Sequence, residues 1–229
     1  METPRRTFLA GISALITCGL AQPLSALPVQ AKGAKQEKNE KEEEVSTNED
    51  LMREHGVLNR VLLIYDESIR RIQGNQKFDT GIITKSAGLI KSFIEDYHEK
   101  LEENYLFPRF EKAGKLVDLV KTLRAQHVAG RNVTDRILAS VKTNDLQTTS
   151  ASMAGFVRMY RPHEAREDTV LFPALHDIVS KHEYDALGDQ FEAIERKTFG
   201  GEGFEMAVDQ VAALEKQLGI YELSQFTPK

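Results

Sequence analysis

The sequence has few features that could cross-link a fold or build a β-sheet. Among 229 residues it has one cysteine, Cys18, and no tryptophan. A single cysteine excludes an internal disulfide framework, and its place near the N-terminus leaves no thiol for a metal site further along. No series of alternating apolar and polar residues predicts strands, whereas helical spacing recurs through most of the chain. We therefore expect an all-α fold.

The chain also has no basic region and no long apolar run. Its formal net charge is −5, and no cluster of basic and aromatic side chains suggests nucleic acid as a partner. An apolar run ending at Ala21 is short for a membrane-spanning helix. We expect no stable membrane span in the mature protein.

The N-terminus resembles an export signal. Arg5 and Arg6 precede an apolar run, as in twin-arginine signals, which carry folded and often cofactor-loaded proteins across a bacterial inner membrane. Small residues at Ser25–Ala26 or Ala31 are candidate cleavage sites. The sequence thus predicts a signal over residues 1–31 and a periplasmic protein. An uncleaved anchor and a lipoprotein attached at Cys18 are the alternatives.

Composition divides the rest of the chain. Residues 32–47 are dominated by Lys, Glu, Gln and Asn and predict a disordered linker. Residues 48–199 carry the helical periodicity, with a fifth amphipathic segment from Lys181 to Thr198 that ends before Gly200. Residues 200–229 are expected to form a C-terminal helix, over 203–218, and a tail.

A motif that pairs a histidine with a glutamate occurs twice. The two copies are His98-Glu99-x-x-Glu102-Glu103-x-x-Leu106-Phe107-Pro108 and His163-Glu164-x-x-Glu167-Asp168-x-x-Leu171-Phe172-Pro173. In each copy the first histidine and the second glutamate are four residues apart, a spacing that returns to nearly the same face of a helix. Two such pairs could hold two metal ions.

Apolar residues at helical spacing indicate that both motifs face the protein interior. These residues are Ile90, Ile94, Leu101 and Tyr105 around His98, and Phe156, Met159 and Val170 around His163. An ionised glutamate in such a place costs several kcal/mol unless it is paired, protonated or bound to a cation. The motif glutamates therefore favour a bound cation.

Two further histidines occupy inward positions, one on the helix before each motif. The intervals from His55 to His98 and from His127 to His163 are 43 and 36 residues, and each suits one helix, a short turn and part of the next helix. We predict an antiparallel up-down four-helix bundle with one or two additional C-terminal helices. Its predicted metal ligands are His55, His98, Glu102, His127, His163 and Glu167.

A structural role is the alternative for each of these histidines. A lone inward histidine is more often a hydrogen-bonded core residue than a ligand. A purely structural bundle, however, would leave Glu102 and Glu167 buried with no evident partner. The constellation therefore favours metal binding.

The donor types narrow the choice of metal. Imidazole and carboxylate without thiolate favour iron or manganese over a structural zinc site, with zinc as an alternative. Four imidazoles and two carboxylates offer about eight donor atoms, fewer than the roughly twelve positions of two octahedral ions. Positions would remain open for water, O2, peroxide or NO.

Four residues near the motifs are candidates for supporting roles. Glu99 and Glu164 lie about 100° round the helix from the motif histidines, so we expect them at the surface or in contact with the ligands rather than with the metal. Tyr105 and Tyr160 fit either hydrogen-bond donors beside the ligands or plain core residues. No catalytic residue is assigned.

Other features near the motifs are not expected to bind metal. His176 lies roughly opposite the motif face, and His182 begins a later segment. The Leu-Phe-Pro sequences at Pro108 and Pro173 are expected to pack and to end their helices, because proline lacks a backbone N–H.

Over residues 48–199 the sequence resembles the hemerythrin-like proteins, also called hemerythrin HHE cation-binding domains. The resemblance implies a non-haem di-iron centre bridged by oxo or hydroxo groups and by the carboxylates of Glu102 and Glu167, with the four histidines as nitrogen ligands. Respiratory hemerythrins carry an extra histidine on the third helix, where this chain has Leu123 and Arg131, and His-x4-Asp on the fourth. The chain is thus similar to the branch with four histidines and two glutamates, which argues against reversible oxygen storage.

Three classes of function follow from this reasoning. The first is a periplasmic di-iron protein that binds or reduces O2, peroxide or NO, and it would be an oxidoreductase if it is an enzyme. The second is a non-enzymatic metal or gas binding or sensing module. The third is repair of iron-sulfur or nitrosative damage, which export and the missing cysteines weaken. The sequence identifies no protein partner.

Overall fold

The structure is a computed structural model that describes residues 45–228. These residues form helices and no strand, so the all-α prediction is confirmed. The elements are α1 (Thr47–Gln73), α2 (Gly81–Leu89, Ile90–His98, Glu99–Leu101, Glu102–Leu106 and Phe107–Ala113 in direct succession), α3 (Val117–Lys142), α4 (Leu146–Arg166, Glu167–Leu171 and Phe172–Leu175 in direct succession), α5 (Lys181–Phe199), α6 (Gly203–Leu218) and a 3₁₀ turn (Leu223–Phe226).

Helix α1 begins within the segment expected to be a linker. The Ser46 side chain accepts a hydrogen bond from the Glu49 N–H and caps the helix. Thr47 is buried, and its hydroxyl donates to the Tyr184 carbonyl at 2.9 Å. Of the predicted linker, residues 32–47, only 45–47 are described, and Thr47 belongs to the helical body because the cap at Ser46 starts α1 there. The predicted export signal lies outside the described residues.

Helices α2 and α4 contain π-helical turns inside the repeated motif. Glu102–Leu106 and Glu167–Leu171 are both π-helical, and the Phe107 and Phe172 N–H groups bond to the carbonyls five residues earlier. The prediction that proline ends these helices is wrong, because α2 continues to Ala113 and α4 to Leu175. Each proline lies where the backbone hydrogen bonds change from π-helical to α-helical, so its lack of an N–H interrupts no regular α-helical turn.

Side-chain contacts show that neighbouring long helices are antiparallel. As the residue number rises along one helix, the number of the contacting residue falls along its neighbour. Between α1 and α4 they are His55 with Asp168, Asn59 with Glu164 and Asp66 with Arg161. Between α3 and α4 they are His127 with His163 and Ser140 with Thr149, and between α2 and α3 they are Lys91 with Asp135 and Glu103 with His127. The metal ligands predicted from the sequence lie on these helices.

Helices α5 and α6 lie where the sequence predicted additional C-terminal helices. Arg60 of α1 forms two hydrogen bonds with Glu215 of α6, at 3.0 and 2.5 Å, and the Arg53 guanidinium lies 4.3 Å from the Phe204 ring centroid. Through these contacts α6 packs against α1. None of the helices within residues 45–228 has the length and apolar character needed to cross a membrane.

Candidate metal centre

The six residues predicted as ligands meet in the interior. Each has at most 4% of its surface exposed. The Nε2 atoms of His55 and His98 are 3.0 Å apart, and those of His127 and His163 are 3.2 Å apart. We refer to His55 with His98 as the first His pair, and to His127 with His163 as the second His pair.

Each motif glutamate contacts both His pairs. One oxygen of Glu102 lies 3.7 Å from His98 Nε2 and 3.4 Å from His127 Nε2. One oxygen of Glu167 lies 3.4 Å from His55 Nε2 and 3.1 Å from His163 Nε2. Candidate ligand atoms of His55, His98 and Glu102 lie within 4.8 Å of one another, and so do those of His127, His163 and Glu167. The geometry thus provides two adjacent groups that could hold metal ions.

The two glutamates supply an independent test of whether cations fit here. All four of their carboxylate oxygens are buried and make no hydrogen bond within residues 45–228. Burying a carboxylate without compensation costs several kcal/mol, and two in one cluster also repel each other. Cations between the carboxylates and imidazoles would remove both costs. The residues therefore fit metal ions of the kind that imidazole and carboxylate bind, such as iron, manganese or zinc.

The Nδ1 atoms of all four histidines face acceptors that the sequence reasoning did not assign. The Nδ1 partners are Glu54 for His98 at 2.7 Å, Asp168 for His55 at 2.7 Å, Glu103 for His127 at 3.1 Å and Gln126 for His163 at 2.9 Å. Because an ionised carboxylate only accepts, a ring that faces one donates from Nδ1 and turns an Nε2 lone pair inward. Facing lone pairs about 3 Å apart repel unless a proton or a metal ion lies between them.

These outer partners repeat with the motif, which is the signal that could have found them. Glu54 and Gln126 directly precede His55 and His127, and an acidic residue directly follows each motif glutamate. The motif phenylalanines repeat as well. Phe172 stacks on the His55 ring and Phe107 stacks on the His127 ring, each with centroids 5.5 Å apart. The packing role expected of the Leu-Phe-Pro sequences is therefore confirmed and is located at the site.

Glu99 and Glu164 are buried, so the expectation that they could lie at the surface is wrong. Glu99 accepts hydrogen bonds from Tyr160 at 2.7 Å and from Arg131 at 2.6 Å, and Glu164 accepts one from Asn59. Burial raises the pKa of both carboxyls to about 8. They are buried because each of these helices packs against two neighbouring helices, so residues 100° apart can both face the interior.

The structure separates the two candidate tyrosines. The Tyr160 ring lies 5.3 Å from the His163 ring and its hydroxyl donates to Glu99. It approaches α3 at Gly130, where a Cβ atom would lie 2.0 Å from the hydroxyl oxygen. Tyr105 is only partly buried and packs against Phe191 of α5. Tyr160 therefore lies beside the site, and Tyr105 serves packing between α2 and α5.

His176 and His182 are exposed, as expected for histidines outside the site. His176 packs on the Tyr184 ring, with centroids 4.1 Å apart.

Burial and neighbouring charges set the protonation of the cluster in the absence of metal. Burial and the Glu167 charge raise the pKa of Glu102. Burial opposes ionisation of Glu167, but His163 and His55 outweigh it and lower the pKa of that carboxyl. Burial lowers the pKa of His127 to about 4. Burial also disfavours a charged His55, but the hydrogen bond to Asp168 and the nearby Glu167 carboxylate outweigh it and raise the pKa of that ring. A proton at the first His pair thus takes the place of a cation.

The helical fold and the buried histidine and glutamate groups define a protein able to hold metal cations. Comparison with protein families agrees, because residues 46–175 match the hemerythrin HHE cation binding domain. The chain belongs to this family.

Similar proteins are the uncharacterized proteins Mb2018 of Mycobacterium bovis and Rv1995 of Mycobacterium tuberculosis. Each is 48% identical to this chain over 225 residues, which cover 96% of this chain and 86% of the relative. No solved structure gives a significant match.

Proposed function

We propose that this chain is a non-haem di-iron protein that binds or reduces a small oxidant such as O2, peroxide or NO. The proposed iron ligands are the two His pairs, with Glu102 and Glu167 shared between the two ions. The observation that carries the proposal is that each of these carboxylates faces one histidine of each pair while its oxygens make no hydrogen bond within residues 45–228. The proposed scaffold is an up-down four-helix bundle of α1 to α4.

The size and donor count of the site favour small oxidants. The six side chains supply about eight donor atoms, fewer than two octahedral ions require, so positions stay open for exogenous ligands. All six side chains are nearly inaccessible from outside, which excludes large substrates. When bound, iron supplies these open positions and the electrons that reduce the oxidant.

The chain's own residues hold the imidazoles in place. Four acceptors fix the Nδ1 atoms and so orient every Nε2 inward. Phe107 and Phe172 cover two of the rings and exclude water. Tyr160 hydrogen-bonds to Glu99 beside His163 and limits the space on that side of the site.

The first test is elemental analysis of the purified chain, combined with an anaerobic to aerobic ultraviolet and visible titration. We expect close to two irons per chain and a spectral change on adding O2, peroxide or NO. One zinc ion or no metal, with no spectral response, would contradict the proposal.

Substitutions assign the metal to this cluster. His98→Ala and Glu102→Ala each remove a proposed ligand and should lose metal. His176→Ala is the matched control, because His176 is exposed and outside the cluster, and it should keep the wild-type metal content. Equal metal content in the three variants would refute the assignment.

A non-enzymatic binding or sensing module is the second candidate. It is favoured by Tyr160, a phenol beside the site whose hydroxyl proton is directed to Glu99. Turnover needs protons as well as electrons, and a committed donor supplies them poorly. Rapid mixing of the reduced protein with peroxide separates the two, since an enzyme turns over repeatedly with added reductant whereas a binding module reacts once.

We also propose export through a twin-arginine pathway, supported by Arg5 and Arg6 before the apolar run. These residues lie outside the described part of the chain. Arg5→Lys combined with Arg6→Lys in a bacterial host should retain the protein inside the inner membrane. Unchanged appearance in the periplasm would contradict this route.

A further inference from the structure

The acceptors that face the Nδ1 atoms differ in charge between the two His pairs. In the first pair both Nδ1 atoms face carboxylates, those of Asp168 and Glu54, each at 2.7 Å. In the second pair His163 faces the neutral amide oxygen of Gln126 at 2.9 Å. Glu54 and Gln126 occupy the same place in the repeat, one residue before His55 and before His127. At this place in the repeat, the first His pair therefore has a charged acceptor and the second His pair has a neutral one.

Glu103, the other acceptor of the second His pair, is a weaker acceptor than the carboxylates of the first His pair. Glu103 lies 3.1 Å from His127 Nδ1, and it also accepts hydrogen bonds from Lys100 at 2.6 Å and from Arg131 at 2.7 Å. Two cations share its negative charge. Its pull on the His127 proton is correspondingly reduced.

A carboxylate on Nδ1 makes the opposite nitrogen a better donor, and removing such a partner typically lowers metal affinity 10 to 100-fold. From this difference we infer that the two metal positions are unequal: the first His pair binds its ion more tightly and fills first, and the second His pair binds the more weakly held, exchangeable ion. The inference rests on the proposed metal binding by these six side chains. Glu54 and Gln126 set the order as positioning residues that act through the imidazoles.

Titration of the metal-free, full-length chain with Co²⁺ tests this order at one fixed pH. Calorimetry and visible absorption should resolve two binding steps whose dissociation constants differ about 10-fold or more. His163→Ala should keep the tight step and lose the weak one. His98→Ala should keep only the weak step.

The repeat offers a reciprocal substitution that changes charge with almost no change in volume. Gln126→Glu should tighten the weak step about 10-fold, and Glu54→Gln should weaken the tight step by a similar factor. Gln190→Glu makes the same charge change at an exposed position of α5 and should leave both steps unchanged. Circular dichroism melting of each variant shows that it is folded.

Three results would overturn the inference: two equal steps in the wild-type chain, a tight step that survives His98→Ala, or a Gln126→Glu titration identical to that of Gln190→Glu. In each case two bound ions would leave the proposed function intact. Absence of any Co²⁺ binding would contradict the proposed function, and the inference with it.

Discussion

The close approach of Tyr160 to α3 allows a sharp test of the packing beside the site. Gly130 lies within α3, where glycine is less favourable than alanine by about 1 kcal/mol. A Cβ atom at this position would lie 2.0 Å from the Tyr160 hydroxyl oxygen and 2.8 Å from the carbon that carries it. Gly130→Ala therefore requires Tyr160 to move. Helix propensity alone would predict that this substitution stabilises the chain.

The cost of displacing Tyr160 is larger than the gain in helix propensity, so Gly130→Ala should lower the stability of the chain. Forcing a methyl group into a packed interior costs about 1–3 kcal/mol. Moving the hydroxyl away from Glu99 removes a hydrogen bond of 2.7 Å, which adds about 1–2 kcal/mol. After subtracting the gain in propensity, we expect a net loss of about 2 kcal/mol, or about 4–8 °C in Tm for a domain of this size.

Thermal and urea unfolding of the metal-free chain measure this loss without a contribution from bound metal. Gly155→Ala is the matched control, because Gly155 is exposed on α4 and a Cβ atom there would meet nothing within 4 Å. It should stabilise by up to about 1 kcal/mol. A Gly130→Ala variant as stable as the wild type, or as Gly155→Ala, would refute the close approach.

Three further predictions concern the site and its scaffold. Glu102→Gln should abolish metal binding but raise the stability of the metal-free chain by about 1 kcal/mol or more at neutral pH, because the buried Glu102 carboxyl, whose pKa is raised, must take up a proton on folding and an amide need not; lower metal-free stability in urea unfolding would contradict this reason. Phe107→Ala should cost about 3–5 kcal/mol in urea unfolding, because a fully buried ring that stacks on His127 is removed; a loss below 1 kcal/mol would be inconsistent with its burial. Ser46→Ala should cost about 1 kcal/mol through loss of the α1 cap, measured by thermal unfolding, with metal content unchanged; a loss of metal would show that the start of α1 positions His55.

The sequence predicts the inner stripe of each helix well because the helical period alone decides it. His55, His98, His127 and His163 share faces with apolar residues, and all four are buried in the structure. The positions of α5 and α6 follow from the same periodicity and from the glycine stops. Metal binding by the six side chains stays a prediction, and their proximity and burial support it.

The acceptors behind the histidines could not be predicted from one helix at a time. Glu54 lies beside His55 in the sequence but accepts from His98 of the next helix, and Asp168 lies on α4 but accepts from His55 of α1. Such pairs depend on how neighbouring helices are rotated and aligned, which periodicity does not specify. The π-helical turns escape prediction for a similar reason, because they depend on backbone hydrogen bonds rather than on residue type.

The sharing of Glu102 and Glu167 between His pairs has a consequence for how the two halves of the repeat depend on each other. Glu102 follows His98 in the first half but lies nearer to His127 of the second, at 3.4 Å against 3.7 Å. Glu167 of the second half also reaches back to His55 of the first, at 3.4 Å, although it lies nearer to His163 of its own half, at 3.1 Å. Neither half alone can therefore surround its glutamate with imidazoles, and each would leave a carboxylate buried among apolar side chains. Metal binding and the packing of the two halves are thus coupled through the two shared glutamates, and removing either glutamate weakens both metal positions.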